Sequence, residues 1–457
     1  MWRTHSCVPR SHSCERQVLF MSKLIIRNGR VMDPASSLDA VCDVAIENGR
    51  IAAIGQNLEA AGASELDASG LIAAPGFIDM HVHLREPGFE HAETIESGSR
   101  AAAAGGFTSI CCMPNTSPVN DNATVTSYII ERAERHAVVN VFPIGAITKG
   151  SAGEQLAAIG LMKEAGIVAI SDDGRPVMNA RVMRRAMETA RSFGLPVIDH
   201  CEDLHLSAGG DMNEGVQSVR LGLRGIPAAS EDVMVARDIL LAELTGARFH
   251  VAHISSRHSV EMLAFAKARG LPVTSEATPH HFALSDSEMP HYDSNYKMKP
   301  PLRSTCDVAA ITAGIVSGAI DAIATDHAPH AGSEKMQEFE QCPFGILGLE
   351  TAIGITLERL VHPGKITLMR MIELFTTGPD RVLNLNRGRL AIGSPADVTL
   401  FDTQRSWSYD VNRSASKSRN SPFDGHTFRG GPVASIVNGK VVWAADHVGL
   451  GVPAASQ

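Results

Sequence analysis

The sequence predicts a (β/α)8 TIM barrel joined to a small β-sandwich domain formed from both ends of the chain. Three observations carry that reading. Between about residues 74 and 387, short β-branched apolar runs alternate with alanine-rich helical stretches, the pattern of a parallel sheet with helical crossovers. Eight such runs can be counted, enough to close a barrel. Nearly every run ends in His, Asp, Asn or Glu, and a barrel keeps its chemistry at the C-terminal ends of its strands. A doubly wound sheet is the competing arrangement, and the polar residue at each strand end favours the barrel over it.

Residues 1–20 carry Arg3, Arg10, Arg16 and a single acid, Glu15, without the apolar core of a secretory signal. They are expected to be a disordered extension, or residues preceding a true start at Met21, rather than a transit peptide. From Lys23 the text turns β-like, and Asn48-Gly49 marks a tight hairpin. The runs Ala396–Asp402 and Val433–Trp443 mirror it, with Asn438-Gly439 as the second hairpin turn. A composite β-sandwich domain is therefore expected from 21–73 and 388–450, around a barrel at 74–387.

The eight barrel strands are expected at Leu71–His83, Phe107–Met113, Val138–Ile144, Ile167–Ser171, Pro196–His200, Arg248–Ile254, Pro272–Glu276 and Ala319–Thr325. Helices are expected at Ala123–Ala137, Ser151–Ala165, Ala180–Phe193, Ser230–Leu244 and Ser259–Arg269. Adjacent Cys111 and Cys112 suit a buried strand better than a disulfide framework.

The 457 residues suffice for a large core plus an accessory domain, and 44% hydrophobic with 20% charged residues is ordinary for a globular protein. A net charge of −9 without a basic stripe argues against a nucleic-acid partner. No apolar run reaches the length of a membrane span. Eight scattered cysteines without a C-x-x-C pair point to a reducing, cytoplasmic compartment. The basic cluster Arg413–Arg419 reads as a solvated loop.

The chemistry begins at His81 and His83. Alternate residues of a strand face the same way, so both imidazoles can meet one metal ion. Strand four ends in Ser171-Asp172-Asp173-Gly174, strand five in Asp199-His200-Cys201-Glu202-Asp203, strand six in Ala252-His253-Ile254-Ser255, and strand eight in Thr325-Asp326-His327-Ala328-Pro329-His330. Imidazole and carboxylate are ordinary ligands of zinc and similar cations. Four histidines and two aspartates exceed the needs of one tetrahedral zinc and suit two bridged metals. Taken singly, Asp173 also reads as a turn cap before Gly174 and Asp326 as a helix N-cap. His280 and His281 read as structural, and Glu202 and Asp203 as partners of ligands or caps.

The motifs His-Val-His-Leu-Arg-Glu-Pro-Gly (81–88), Met-Pro-Asn-Thr (113–116), Asp-His-Cys-Glu-Asp (199–203), Ala-Thr-Asp-His-Ala-Pro-His (324–330), Pro-Phe-Gly (343–345) and Asn-Ser-Pro-Phe (420–423) resemble the amidohydrolase superfamily and, within it, the dihydroorotases. The resemblance runs from Met21 to about Ala445, in the form often found with aspartate transcarbamoylase. It implies one or two Zn2+ ions, with His81, His83 and Asp326 on the first and His200 and His253 on the second. Many relatives bridge the metals with a carboxylated lysine. Strand four has none, and Lys163 lies in the preceding helix. Asp173 takes the bridging place in the reading, with Asp172 as its rival.

The same resemblance makes Asp326 the general acid/base for reversible cyclisation of N-carbamoyl-L-aspartate to L-dihydroorotate in pyrimidine synthesis. It assigns the substrate carboxylate to Arg85, Asn115 and His330, and the ring amide to backbone groups at Phe344 and Gly345. Lys299 departs from the family's usual Asn before Pro-Pro-Leu-Arg. A homodimer and association with aspartate transcarbamoylase are further expectations. The competing functions are another cyclic amidase (hydantoinase, dihydropyrimidinase or allantoinase) and a non-catalytic scaffold of the transcarbamoylase. The absent bridging lysine and the Arg-Glu-Pro-Gly continuation count against the first, and the filled ligand positions against the second.

Overall fold

Parallel pairing runs unbroken around the middle of the chain. In a computed structural model describing residues 23–59 and 61–446, the barrel strands are Phe77–Val82, Phe107–Cys112, Asn140–Pro143, a single bridging residue Ile170, Val197–Asp199, Phe249–Val251, Val273–Ala277 and Ala322–Ile323. Each pairs in parallel with the next, Ile170 bridging Gly145 on one side and Val197 on the other. A parallel bridge from Val82 to His327 joins the eighth strand to the first. The fold is therefore a (β/α)8 barrel. The expectation for residues 1–20 lies outside the described residues.

The helices between strands start where side chains satisfy the first-turn N–H groups. Asn122 caps Ala123–His136, Asn179 caps Ala180–Ser192, and Ser256 caps Arg257–Ala268. Cys111 and Cys112 are buried and unpaired in the second strand. Among the described residues no helix is long and apolar enough to cross a membrane.

The β-sandwich is one eight-stranded sheet made from both chain ends. Its order is Lys440–Ala444, Thr427–Val437, Val398–Ser408, Ile72–Pro75, Lys23–Asp33, Leu38–Glu47, Arg50–Gly55, with Ser64–Asp67 added beside Lys23–Asp33. It closes over its own core of Ile26, Val44, Leu66, Val398, Leu400 and Ile436. Both Asn-Gly turns are left-handed at each residue, with φ of 54° and 72° at Asn48-Gly49 and 47° and 76° at Asn438-Gly439, as a type I′ hairpin requires. The turns also pack on each other. A Cβ on Gly439 would lie 3.2 Å from Gly49 Cα.

Besides the fourth strand, where the expected run Ile167–Ser171 is reduced to the bridging residue Ile170, three expectations change. The run Leu71–His83 is two strands, Ile72–Pro75 in the sandwich sheet and Phe77–Val82 in the barrel. They divide at Gly76, where a Cβ would meet Thr108 Oγ1 at 2.1 Å; only glycine lets the chain pass from one sheet to the other there. The helix expected from Ser151 starts at Ile159, because Leu156 bridges back to Thr148 and Gly153 is left-handed. The segment Arg413–Arg419 is only half solvated. Lys417 and Arg419 are exposed while Ser416 and Ser418 are buried.

Candidate metal centre and active site

His81, His83, Asp173, His200, His253 and Asp326 meet at the C-terminal end of the barrel, all of them buried. Asp173 stands in the middle. Its carboxylate oxygens lie 3.4 Å from His81 Nε2, 3.5 Å from His83 Nε2, 3.7 Å from His200 Nδ1 and 3.6 Å from His253 Nε2. Asp326 Oδ1 is 3.0 Å from His83 Nε2 and 3.4 Å from His81 Nε2. His81, Asp173 and His253 form one group with metal-holding spacing, and His81, His83 and Asp326 another.

Asp172 is spent elsewhere. Its Oδ1 accepts N–H groups of Ile147 at 2.8 Å and Thr148 at 3.1 Å, and its Oδ2 accepts the Thr148 hydroxyl. It pins the end of the fourth strand to the loop after the third. Lys163 is exposed on its helix.

The donor set fits a divalent cation. His81 Nε2 and Asp173 Oδ1 are buried and make no hydrogen bond, a costly condition unless something fills it. The electrostatics agree. Burial pushes the Asp173 and Asp326 carboxyls up, but His81, His83 and His253 outweigh it and hold both well below the usual carboxylate range. Burial likewise depresses His81, and Asp173 and Asp326 lift it well above an ordinary imidazole. The cluster calls for positive charge, which a divalent cation would supply.

Three of the four imidazoles are oriented from behind, the arrangement that fixes a metal-binding histidine's tautomer. His81 Nδ1 lies 2.8 Å from Glu276 Oε1, His83 Nδ1 2.9 Å from Asn115 Oδ1, and His200 Nε2 2.9 Å from Glu202 Oε2. Glu276 is fully buried; burial pushes its carboxyl up, but bonds to His250 and His81 bring it down to about 2. Glu202 is brought to about 2 against burial by His200 and by the Lys299 ammonium, 2.9 Å from Oε1. Glu276→Gln should weaken metal binding about 10- to 100-fold, measured by competition with a chromophoric chelator. Unchanged retention would mean His81 needs no carboxylate behind it.

Left-handed backbone also occurs at the site. Arg85, His253 and Asp326 hold left-handed φ of 60°, 29° and 47°, conformations that cost about 1–3 kcal/mol each in a non-glycine residue. Asp79 helps to impose one of them. Its carboxylate accepts Thr325 N–H at 3.1 Å, tying the eighth strand to the first just before Asp326.

Beside the cluster, Arg85 Nε donates to Pro329 O at 3.0 Å, and its Nη2 lies 3.2 Å from His330 Nε2. Among the described residues no carboxylate lies within ion-pair distance of Arg85. Burial, then the neighbouring Arg85 charge, lowers His330 to about 3, so its ring is neutral at pH 7. His330 Nε2 lies 2.8 Å from Phe344 O. Gly345 packs against that ring so closely that a Cβ would meet His330 Cδ2 at 2.6 Å. Asn115 does more than its sequence assignment implied, because its amide oxygen is engaged by His83.

Sequence reasoning did not pick out Glu276, Asp79 or Lys299 as parts of this site. His281 is structural, bonded to Thr278 Oγ1 at 2.7 Å and Pro300 O at 3.0 Å. A further metal-like group, Asp199, Cys201 and Asp238, already has a cation, since Arg237 pairs bidentately with Asp238 at 2.8 and 2.9 Å.

Comparisons with known proteins identify the family of the chain. Residues 70–259 match the family model described as dihydro-orotase-like. The dihydroorotase of Solibacter usitatus is 71% identical over 92% of this chain and 98% of its own. That of Pelotomaculum thermopropionicum is 54% identical over 92% of this chain and 98% of its own. Among solved structures, the L-hydantoinase (dihydropyrimidinase) of Arthrobacter aurescens superposes with a TM-score of 0.84 at 24% identity, covering 93% of this chain and 97% of that one, which shows the shared fold. With the near-complete overlap at 71% and 54% identity, the chain belongs to the dihydroorotase family.

Proposed function

We propose that the protein is a zinc-dependent dihydroorotase that interconverts N-carbamoyl-L-aspartate and L-dihydroorotate in pyrimidine biosynthesis. The observation that carries this reading is Asp173, within 3.4–3.7 Å of four imidazoles, beside an Arg85 without a carboxylate partner among the described residues. His81, His83, His200, His253, Asp173 and Asp326 would hold one or two zinc ions. When bound, the metal supplies Lewis acidity and a water acidic enough to react near neutral pH.

The chain's own residues do the rest. Asp326 is ionised at neutral pH, the state a general base needs. It takes the proton from the attacking water and returns it to the ring nitrogen as the amide C–N bond breaks. In the cyclising direction the same carboxylate removes the ureido proton and delivers it to the departing water. Arg85 offers its Nη edge to the substrate carboxylate, a geometry suited to a bidentate pair. Neutral His330 and the Asn115 amide complete that pocket. The backbone at Phe344 and Gly345 meets the ring amide, with His330 yielding its place at the Phe344 carbonyl.

A carboxylate site separates this activity from that of the hydantoinases sharing the fold. Comparing L-dihydroorotate with dihydrouracil, the same ring without the carboxylate, tests it directly. Dihydroorotate should be the far better substrate, and equal turnover would contradict the assignment. Arg85→Met should raise the KM for dihydroorotate at least about tenfold with a smaller change in kcat, the pattern of lost ground-state binding. An unchanged KM would remove Arg85 from the substrate.

The reading extends to a homodimer, to association with aspartate transcarbamoylase, and to a cytoplasmic setting in keeping with the unpaired cysteines among the described residues. Gel filtration with and without the transcarbamoylase tests the first two.

A further inference from the structure

The connection between Val398–Ser408 and Thr427–Val437 leaves the sandwich sheet and reaches the active-site face of the barrel. It alternates like a strand without belonging to one. Ser416, Ser418 and Asn420 are each 2% exposed, while Lys417 and Arg419 point outward. Ser416 Oγ and Lys417 N–H (3.1 Å) donate to the buried Glu93 carboxylate, and Ser418 Oγ donates to Ala92 O at 2.7 Å. This anchoring delivers Asn420 between two loops of the proposed substrate pocket.

Asn420 uses every polar atom of its side chain there. Oδ1 accepts the His330 N–H at 3.1 Å, and Nδ2 donates to Ala328 O at 2.9 Å and to Gly345 O at 3.0 Å. Its main-chain carbonyl accepts the Leu347 N–H at 2.9 Å. The Pro329 carbonyl, between two residues that Asn420 holds, receives Arg85 Nε at 3.0 Å. One buried amide therefore fixes the segment that carries His330 and tethers Arg85, and joins it to the segment carrying Phe344 and Gly345.

We infer that Asn420 is a positioning residue for substrate, setting the spacing between the carboxylate-binding pair Arg85–His330 and the Phe344–Gly345 backbone. It touches neither the six clustered ligands nor the reacting atoms. The inference rests on the proposed roles of Arg85, His330 and Phe344–Gly345. An amide is required rather than any polar group, since two carbonyl oxygens need donors and one N–H needs an acceptor. The isosteric change Asn420→Asp is the sharpest probe, because it sets an anionic oxygen against two carbonyls while preserving the shape.

The test is a double-mutant cycle on the zinc-loaded full chain, with Asn420→Asp, Asn420→Ala, His330→Ala and the pairs. Each Asn420 variant should raise the KM for dihydroorotate at least about tenfold, with kcat within about threefold and bound zinc unchanged. In the His330→Ala background, Asn420→Ala should add less than about threefold, because residues acting through one another are not additive. A folded Asn420 variant with parental KM, zinc lost in step with activity, or fully multiplicative effects would each overturn the inference. If His330→Ala alone leaves KM unchanged, the reading of the pocket fails instead. Should the variants not fold, amide exchange on the unaltered protein decides. The His330 N–H should be protected like barrel-strand amides, and rapid exchange would contradict the role.

Discussion

Asp326→Ala is expected to lower kcat for dihydroorotate by about 10²–10⁴-fold, the range supplied by a positioned acid/base, while the circular dichroism spectrum stays native. The position explains the size of the effect. Asp326 sits in a left-handed backbone held by the Asp79–Thr325 bond, and its carboxylate is 3.0 Å from His83 Nε2. No other described carboxylate combines that contact with freedom from a structural task, since Asp173 is encircled by imidazoles and Asp172 is tied to Thr148. Asp326→Asn keeps the shape and should be nearly as slow. Residual turnover above about a tenth of the parent in either variant would move the proton transfer to another group.

The second large effect concerns metal content. Asp173→Ala removes the one described carboxylate near all four imidazoles and should empty at least part of the centre, read by elemental analysis after dialysis. Asp172→Ala should act differently. It strands the buried N–H groups of Ile147 and Thr148, at a cost of about 1–3 kcal/mol for each unsatisfied donor, and so should lower the unfolding midpoint while zinc is retained. If Asp172→Ala loses zinc and Asp173→Ala does not, the bridging place belongs to Asp172.

These two aspartates show where the sequence stops being legible. His81 and His83 could be read as a pair by strand alternation, although Phe77–Val82 shifts register between Asp79 and Val82 and ends one residue before His83. The fourth strand is reduced to one bridging residue, Ile170, so alternation gives no rule for Asp172 against Asp173, and only the loop at Thr148 decides. The eight-strand pattern could be read because most barrel strands are short buried runs, largely apolar, that alternate with helices. Gly76 was passed over as a boundary although Pro75-Gly76 is a turn-type dipeptide, and its close contact with Thr108 is what makes glycine obligatory there. Glu276 was invisible as a partner because it reaches His81 from 195 residues away. The Arg413–Arg419 cluster misled because its charges occupy the outward alternate positions and draw attention from the serines and the asparagine between and after them. What the sequence displays well is local period and motif. What it hides is which of two neighbouring polar side chains the distant chain will engage.

The most direct test of the whole account is dihydroorotate hydrolysis by the purified chain, stripped with chelator and then restored with zinc, without transcarbamoylase. No turnover is expected from the stripped protein, and robust turnover once zinc is restored. Zinc bound at the six-residue cluster with dihydroorotate still untouched would contradict it.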